Sequence, residues 1–128
     1  MHLIHLDDHN LFRKGLENFL SKEFPNLHIE AFSDNTTALE YVQHCLVCNK
    51  KIDCIITDYN HLGDNGLEFA KAVRTIEKEY NLHIPIMMLT MREDVLLKQA
   101  ATDGILDVYF TKDFSCEEIV NFMRKYVV

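Results

Sequence analysis

Residues 52–66 read IDCIITDYNHLGDNG, and this stretch decides the fold of the chain. Its first part, Ile52–Thr57, is a short apolar run rich in β-branched residues, which is typical of a strand buried on both faces of a parallel sheet. Asp58 ends the run and is followed by a loop that contains Gly63 and Gly66. Open α/β sheets bind their ligands at the carboxyl ends of such strands, so Asp58 is a candidate functional residue. Taken alone, it fits an Asx turn equally well.

On both sides of this stretch, the apolar pattern alternates between strand and helix. The predicted strands are 1–6, 27–32, 52–57, 84–89 and 106–110. Five helices are predicted. The first, second and fourth cover about 11–22, 36–48 and 92–102, the third runs from an Asn65 cap to Tyr80, and the fifth runs from a Ser115 capping box to Tyr126. This alternation indicates a flavodoxin-like α/β fold, (βα)5 and doubly wound, with a five-stranded parallel sheet in the strand order 2-1-3-4-5.

The composition fits one domain over residues 1–128. Hydrophobic residues make up 48% of the chain, which is enough for a core without disulfides or metals. The formal net charge of −7 argues against direct contact with nucleic acid, because such contacts depend on Lys and Arg. No segment of membrane-spanning length and no cleavable leader is recognisable, so we expect no membrane contact and a cytoplasmic location.

Two of the four cysteines, Cys45 and Cys48, form a C-x-x-C motif preceded by His44. The motif suits half of a zinc site or a redox pair, but no second pair of ligands follows at zinc-site spacing. Cys54 lies in a predicted core strand, and Cys116 opens the last helix. We therefore favour the interpretation that all four are reduced structural thiols.

Polar side chains follow four of the five predicted strands. In chain order they are Asp7 and Asp8, Asp58, Thr90 and Lys112. In the flavodoxin-like order these strand ends meet at one edge of the sheet. Carboxylates about 4 Å apart repel each other by several kcal/mol at an effective dielectric constant near 20, and a divalent cation relieves that repulsion. All-oxygen ligation suits Mg²⁺, which keeps positions open for phosphate oxygens.

This set of side chains predicts in-line phosphoryl transfer, which depends mostly on positioning and charge neutralisation. Asp58 would be the nucleophile that becomes an aspartyl phosphate, and Asp7 and Asp8 would hold the metal. Lys112 would pair with the phosphoryl oxygens, and the Thr90 hydroxyl would donate to the new phosphoryl group.

The chain resembles the receiver domains of two-component response regulators from the first strand to the last helix. Four motifs carry the resemblance: Asp7-Asp8, Asp58 with Gly66 eight residues later, Thr90 after an apolar strand, and Tyr109 with Lys112. Residues 7–16, which read DDHNLFRKGL, and Lys112-Asp113 are similar to receivers of the LuxR-type subfamily. Such receivers are followed by a helix-turn-helix output domain, which is not present in these 128 residues.

The resemblance implies a role for each matching residue. Asp58 would accept a phosphoryl group from the phosphohistidine of a histidine kinase or phosphotransfer protein, without turnover of a free substrate as in an enzyme. Asp8 and the Asn60 backbone carbonyl would be Mg²⁺ ligands, with Asp7 as an outer ligand. Thr90 and Tyr109 would be a coupled switch pair that changes the surface of the fourth helix, fifth strand and fifth helix. Phosphorylation-dependent homodimerisation is plausible for the LuxR-type resemblance.

Met91 departs from the family pattern, in which the residue after the switch threonine is small. A thioether there would narrow access to Asp58, and we hypothesise slow turnover of the aspartyl phosphate. Thr90 also fits a capping box with Glu93 for the fourth helix. Tyr109 also fits plain packing near a strand end.

Two other classes of protein compete with this interpretation. A pseudo-receiver would keep the fold and bind partners through its helical face without phosphorylation. A flavodoxin-like redox protein would bind FMN, but it needs a phosphate-binding loop after the first strand, where Asp7-Asp8 would repel phosphate.

Overall fold

A parallel five-stranded sheet forms the centre of the computed structural model, which describes residues 1–61, 64–90, 94–111 and 116–127. The strands are β1 His2–Leu6, β2 His28–Phe32, β3 Cys54–Asp58, β4 Asn60–His61, β5 Asp64–Asn65, β6 Ile86–Leu89 and β7 Val108–Phe110. The sheet order is β2-β1-β3-β6-β7, and every neighbouring pair is parallel. This confirms the predicted order 2-1-3-4-5. The short antiparallel hairpin β4–β5 after Asp58 was not predicted.

Five helices cover the two faces of the sheet. They are α1 Asn10–Glu23, α2 Asn35–Val47, α3 Gly66–Glu77, α4 Val95–Thr102 and α5 Cys116–Tyr126, with a 3-10 turn Lys78–Tyr80 after α3. Buried side chains of α2, α3 and α4 form one apolar cluster with the sheet, and those of α1 and α5 form a second. No helix of the described ranges is long and apolar enough to cross a membrane.

The central strands are apolar on both sides, as the continuous run in residues 52–57 predicts. Ile4 and Ile55 belong to the cluster with α2, α3 and α4, whereas Leu3 and Ile56 belong to the cluster with α1 and α5. Successive side chains of a strand point to opposite faces, so a strand covered on both faces cannot alternate polar and apolar residues.

The fourth helix begins later than predicted. It starts at Val95, not at Arg92, because the Asp94 side chain caps it by accepting from the Leu96 backbone N–H at 2.9 Å. The capping box of Thr90 with Glu93 stays a prediction, because Glu93 lies outside the described residues. The Ser115 cap predicted for α5 lies outside the described residues.

An ion-pair cluster closes the amino ends of β6 and β7, away from the predicted site. The partly buried guanidinium of Arg74 donates to the Glu77 carboxylate, the Asp107 carboxylate and the Ile84 carbonyl, each at 2.8 Å. Glu77 also accepts from the Ile84 backbone N–H at 3.0 Å. Asp107 accepts from the Ile86 N–H at 2.7 Å. One side chain of α3 thus joins the segments that enter two strands.

We expect Arg74→Ala to lower the free energy of unfolding by about 3 kcal/mol, because it leaves the buried Glu77 carboxylate without its main partner. Urea unfolding measures this. Arg124→Ala is the matched control, since the exposed Arg124–Glu23 pair at 2.9 Å should contribute less than about 1 kcal/mol. Equal losses of unfolding free energy in the two variants would contradict the stabilising role assigned to Arg74.

A second polar chain runs from β1 to α2. The Lys51 carbonyl can only accept, so His2 Nδ1 donates to it at 3.0 Å, and His2 Nε2 accepts from the Tyr41 hydroxyl at 2.9 Å. The Tyr41 oxygen in turn accepts from Lys50 Nζ at 3.3 Å. Burial lowers the pKa of His2 below its usual value. The folded state therefore holds His2 neutral.

His2 predicts a pH dependence of stability. Its pKa in the folded state lies below the unfolded value of 6.5, so the stability it contributes is present above pH 6.5 and is lost as pH falls through the lowered folded value. Below pH 6.5 the unfolding free energy of the wild type should therefore decline, and we expect this decline to be flatter in His2→Gln. Urea titrations at a series of pH values measure it. His44→Gln, at an exposed position, should keep the wild-type slope. If the unfolding free energy of His2→Gln declines with pH as steeply as that of the wild type, His2 is not the origin of this pH dependence.

Candidate functional site

Three carboxylates meet at the carboxyl end of the sheet. Asp7, Asp8 and Asp58 each place one oxygen so that the three oxygens all lie within 4.8 Å of one another. The register explains this proximity. β1 and β3 are parallel neighbours in which Leu6 pairs with Thr57, so the residues that follow this pair, Asp7 and Asp58, are adjacent. In the part of the chain that the structure describes, this is the only group of three or more His, Cys, Asp or Glu residues with such spacing.

Asp7 is the most buried of the three, at 3% exposed. Its Oδ1 accepts from the His9 backbone N–H at 2.8 Å, and its own backbone N–H donates to the Phe32 carbonyl at 3.0 Å. The end of β1 is thereby tied to β2, which fixes the direction in which Asp7 and Asp8 leave the sheet.

The donor set fits a divalent cation. Three anionic oxygens within 4.8 Å repel one another strongly, and hard oxygen ligands are those that Mg²⁺ and Ca²⁺ prefer. Asp7, Asp8 and Asp58 are therefore the residues that would hold such an ion.

The loop after Asp58 folds back onto the start of α3. The Asn65 side chain caps α3 by accepting from the Leu67 N–H at 2.7 Å, as the sequence predicted. Asn35 Nδ2 on α2 donates to the Asn65 carbonyl at 3.1 Å. Asn60 pairs with Asn65 in the hairpin, so the backbone carbonyl predicted as a metal ligand lies in a segment that is tied to α3.

Gly66 makes the closest approach in this region. A Cβ atom placed on it would lie 2.0 Å from the Asp58 carbonyl oxygen and 3.0 Å from Thr57 Oγ1. Thr57 Oγ1 also donates to the Asp58 carbonyl at 3.0 Å. Only glycine fits at this position, so the start of α3 is packed directly against the backbone of the candidate nucleophile.

Thr90 directly follows β6, the strand next to β3, and Tyr109 lies in β7, one strand further out. Thr90 is 6% exposed and directly follows Leu89, the β6 residue that pairs with Asp58. Its backbone N–H donates to the Phe110 carbonyl of β7 at 3.0 Å. Tyr109, half-buried in β7, packs against the cluster covered by α2, α3 and α4. Thr90 is thus at the end of the strand next to the carboxylates, and Tyr109 is one strand further away.

Two predicted residues lie outside the described residues, namely Lys112 and Met91. The structure brings together the three carboxylates and places Thr90 at the end of the neighbouring strand. His5 in β1 is 1% exposed, and its Nδ1 lies 3.1 Å from Glu17 Oε2.

The four cysteines differ in their burial. All four are free, with Cys45 and Cys54 buried and Cys48 exposed. Burial raises the pKa of the Cys45 and Cys54 thiols, which keeps both groups protonated. No group of three possible metal ligands among the described side chains includes Cys45 or Cys48, and the interpretation of the cysteines as reduced structural thiols stays a prediction.

Sequence reasoning missed one contact beside the site. The hydroxyl of Tyr59, the residue after Asp58, donates to Asp94 Oδ2 at 3.4 Å. The two residues are far apart in the chain, and no periodicity or motif indicates that they meet.

A model of the response regulator receiver domain matches residues 3–124, and the chain belongs to this family, the receiver domains of two-component response regulators. The response regulator MprA of Mycobacterium sp. (strain KMS) is 29% identical over 119 residues, which cover 93% of this chain and 47% of MprA. The chain thus spans about half the length of this relative.

Solved structures agree with the family. Vibrio cholerae chemotaxis protein CheY4 superposes with a TM-score of 0.77 at 25% identity, covering 98% of this chain and 97% of that one. The receiver domain of the Arabidopsis thaliana histidine kinase CKI1, complexed with Mg²⁺ and BeF₃⁻, gives a TM-score of 0.85 at 21% identity, covering 98% of this chain and 88% of that one. At that identity the second likeness supports the fold alone.

Gly66→Ala should destabilise the domain by about 1–3 kcal/mol, because the added methyl overlaps the Asp58 carbonyl and forces backbone to move. Gly15→Ala is the matched control: nothing lies within 4 Å of its added Cβ, and replacing glycine inside α1 should stabilise by about 0.5–1 kcal/mol. Urea unfolding of both variants checks this. If Gly66→Ala leaves the free energy of unfolding unchanged, the close approach of Gly66 to the Asp58 carbonyl does not constrain the loop.

Proposed function

We propose that this domain accepts a phosphoryl group on Asp58 from the phosphohistidine of a histidine kinase or phosphotransfer protein. The observation that carries the proposal is the convergence of the three carboxylate oxygens within 4.8 Å at the end of β1 and β3. Membership of the receiver family supports it. An Asp58 oxygen would form the bond to phosphorus as the phosphorus–nitrogen bond breaks, and the imidazole of the donor would leave with the electron pair.

Mg²⁺ is the proposed cofactor. Asp8, Asp58 and the Asn60 backbone carbonyl would hold it directly, and Asp7, which already accepts from the His9 N–H, would hold it from the outer position. When bound, the ion neutralises the crowded carboxylates and the phosphoryl oxygens, which is the main electrostatic requirement of this transfer. Lys112 is proposed to pair with the phosphoryl oxygens.

Thr90 and Tyr109 are the proposed switch pair. Thr90 follows the residue paired with Asp58, so a hydroxyl that turned toward a phosphoryl group on Asp58 would pull on the chain leading to α4. Tyr109 packs on the same side of the sheet as α4. Phosphorylation would thus change the surface of α4, β7 and α5, a charge event that biases a two-state packing element.

The output is proposed to lie outside residues 1–128. The similarity of residues 7–16 and Lys112-Asp113 to LuxR-type receivers supports a cytoplasmic regulator with a DNA-binding output domain, and phosphorylation-dependent dimerisation of the receiver is consistent with it. The domain itself would catalyse only its own phosphorylation and dephosphorylation. Met91 is proposed to slow the turnover of the aspartyl phosphate.

A non-phosphorylating pseudo-receiver is the alternative function. It is less well supported, because a binding module has no need for three mutually repelling carboxylates. The same carboxylates argue against an FMN-binding redox protein, since they would repel the phosphate of the flavin.

We expect incubation with Mg²⁺ and acetyl phosphate to give a single phosphoryl adduct, detected by intact mass spectrometry. Asp58→Asn should give no adduct, because the amide oxygen is a poor nucleophile, and chelation of Mg²⁺ should also abolish it. Asp53→Asn is a matched control, since Asp53 lies at the opposite end of β3 and accepts from the His2 backbone N–H. A folded wild-type protein without an adduct would favour the pseudo-receiver.

A further inference from the structure

We propose that the Tyr59 hydroxyl is a positioning group that holds the first turn of α4 in the unphosphorylated arrangement. This inference rests on the proposed function, because it assigns a regulator to the phosphorylation of Asp58. It adds a second connection between Asp58 and α4, separate from that of Thr90 and Tyr109.

The backbone of Tyr59 is held on both sides. Its N–H donates to the Leu89 carbonyl of β6 at 3.3 Å, and its carbonyl accepts from the Gly66 N–H at 2.6 Å. Its ring is partly buried and packs against the apolar cluster under α2, α3 and α4. Tyr59 is therefore a fixed point directly beside the candidate phosphoacceptor.

The Tyr59 hydroxyl reaches the residue that starts α4. It donates to Asp94 Oδ2 at 3.4 Å, while Asp94 Oδ1 accepts from the Leu96 N–H at 2.9 Å. One carboxylate thus both caps α4 and binds Tyr59. Because the helix begins at the next residue, its first turn is anchored to the loop of Asp58.

The anchored turn is the exposed apolar part of α4. Val95 is 79% exposed and Leu96 is 57% exposed, whereas Leu97 and Ala100 hold the helix to the core. Leu97 and Ala100 are the buried side chains of this eight-residue helix, and the Tyr59–Asp94 hydrogen bond adds a polar anchor at its amino end. Together these contacts set where Val95 and Leu96 are presented.

The direction of the effect follows from linkage. Asp94 lies four residues after Thr90, so a displacement of Thr90 toward a phosphoryl group moves the chain that leads to Asp94. An interaction made in only one of two states favours that state. Since the bond is made in the described arrangement, its removal should make the switch to the phosphorylated arrangement easier.

The test uses BeF₃⁻ with Mg²⁺ as the phosphoryl probe, titrated into the 128-residue protein. Tyr59→Phe removes only the hydroxyl, and we expect it to bind BeF₃⁻ about threefold to tenfold more tightly than wild type, the effect of one hydrogen bond. Tyr80→Phe, in the 3-10 turn after α3, is the matched control and should bind as wild type does. Asp94→Ser keeps a good cap, but its side chain is too short to reach the Tyr59 hydroxyl, so it should act in the same direction. In the double variant, the effects of the Tyr59 and Asp94 substitutions on BeF₃⁻ affinity should not add.

A second readout separates positioning from general stability. In Tyr59→Phe without BeF₃⁻, the amide chemical shifts of Leu96 and Leu97 should move along the line that joins the free and BeF₃⁻-bound spectra of the wild type. Unchanged affinity in Tyr59→Phe, weaker binding, or additive effects with Asp94→Ser would overturn the inference. Failure of the wild type itself to bind BeF₃⁻ would instead refute the proposed function, and that result is seen before any variant is compared.

Discussion

Mutual repulsion among the three carboxylates at the end of β1 and β3 is the constraint on which the rest of the structure depends. The parallel register of the two strands forces Asp7 and Asp58 to be neighbours, and Asp8 follows directly. Left to itself, this charge would push the loops apart. The surrounding contacts resist that motion: the His9 N–H binds Asp7, and Gly66 packs against the Asp58 carbonyl. The site thus holds three carboxylates close together on a backbone fixed by these contacts, and a cation or a phosphoryl group bound there would act on preorganised groups.

The opposite end of the sheet shows the reverse arrangement. There Arg74 is paired with Glu77 and Asp107, and the polar atoms of His2 and Tyr41 have defined partners. Charges at this end are matched, and they join the segments that lead into the strands. The domain therefore separates an end where opposite charges are paired from an end where three carboxylates lie close together. Natural proteins commonly concentrate unfavourable interactions at functional sites in this way.

The sequence predicted the layered fold and the carboxylates well because both are local patterns. Apolar runs and turn residues define the strands, and the residue that follows each strand is read directly from the chain. The start of α4 was wrong because two residues competed to cap it, and Asp94 is the one whose side chain reaches the Leu96 N–H. The hairpin β4–β5 and the pairs Arg74–Asp107 and Tyr59–Asp94 were missed because they depend on how distant segments approach each other. Periodicity carries no information about such contacts.

The order of the strands in the sheet has a consequence for the strand that carries Tyr109. Of the five strands of the sheet, β1 comes first in this sequence and is a central strand, with β2 on one side and β3 on the other. Strands β6 and β7 follow later in the chain and extend the sheet beyond β3. β7 is an edge strand and is only three residues long. The strand that carries Tyr109 therefore has a single neighbour, and its departure need not open the three strands that hold the carboxylates together.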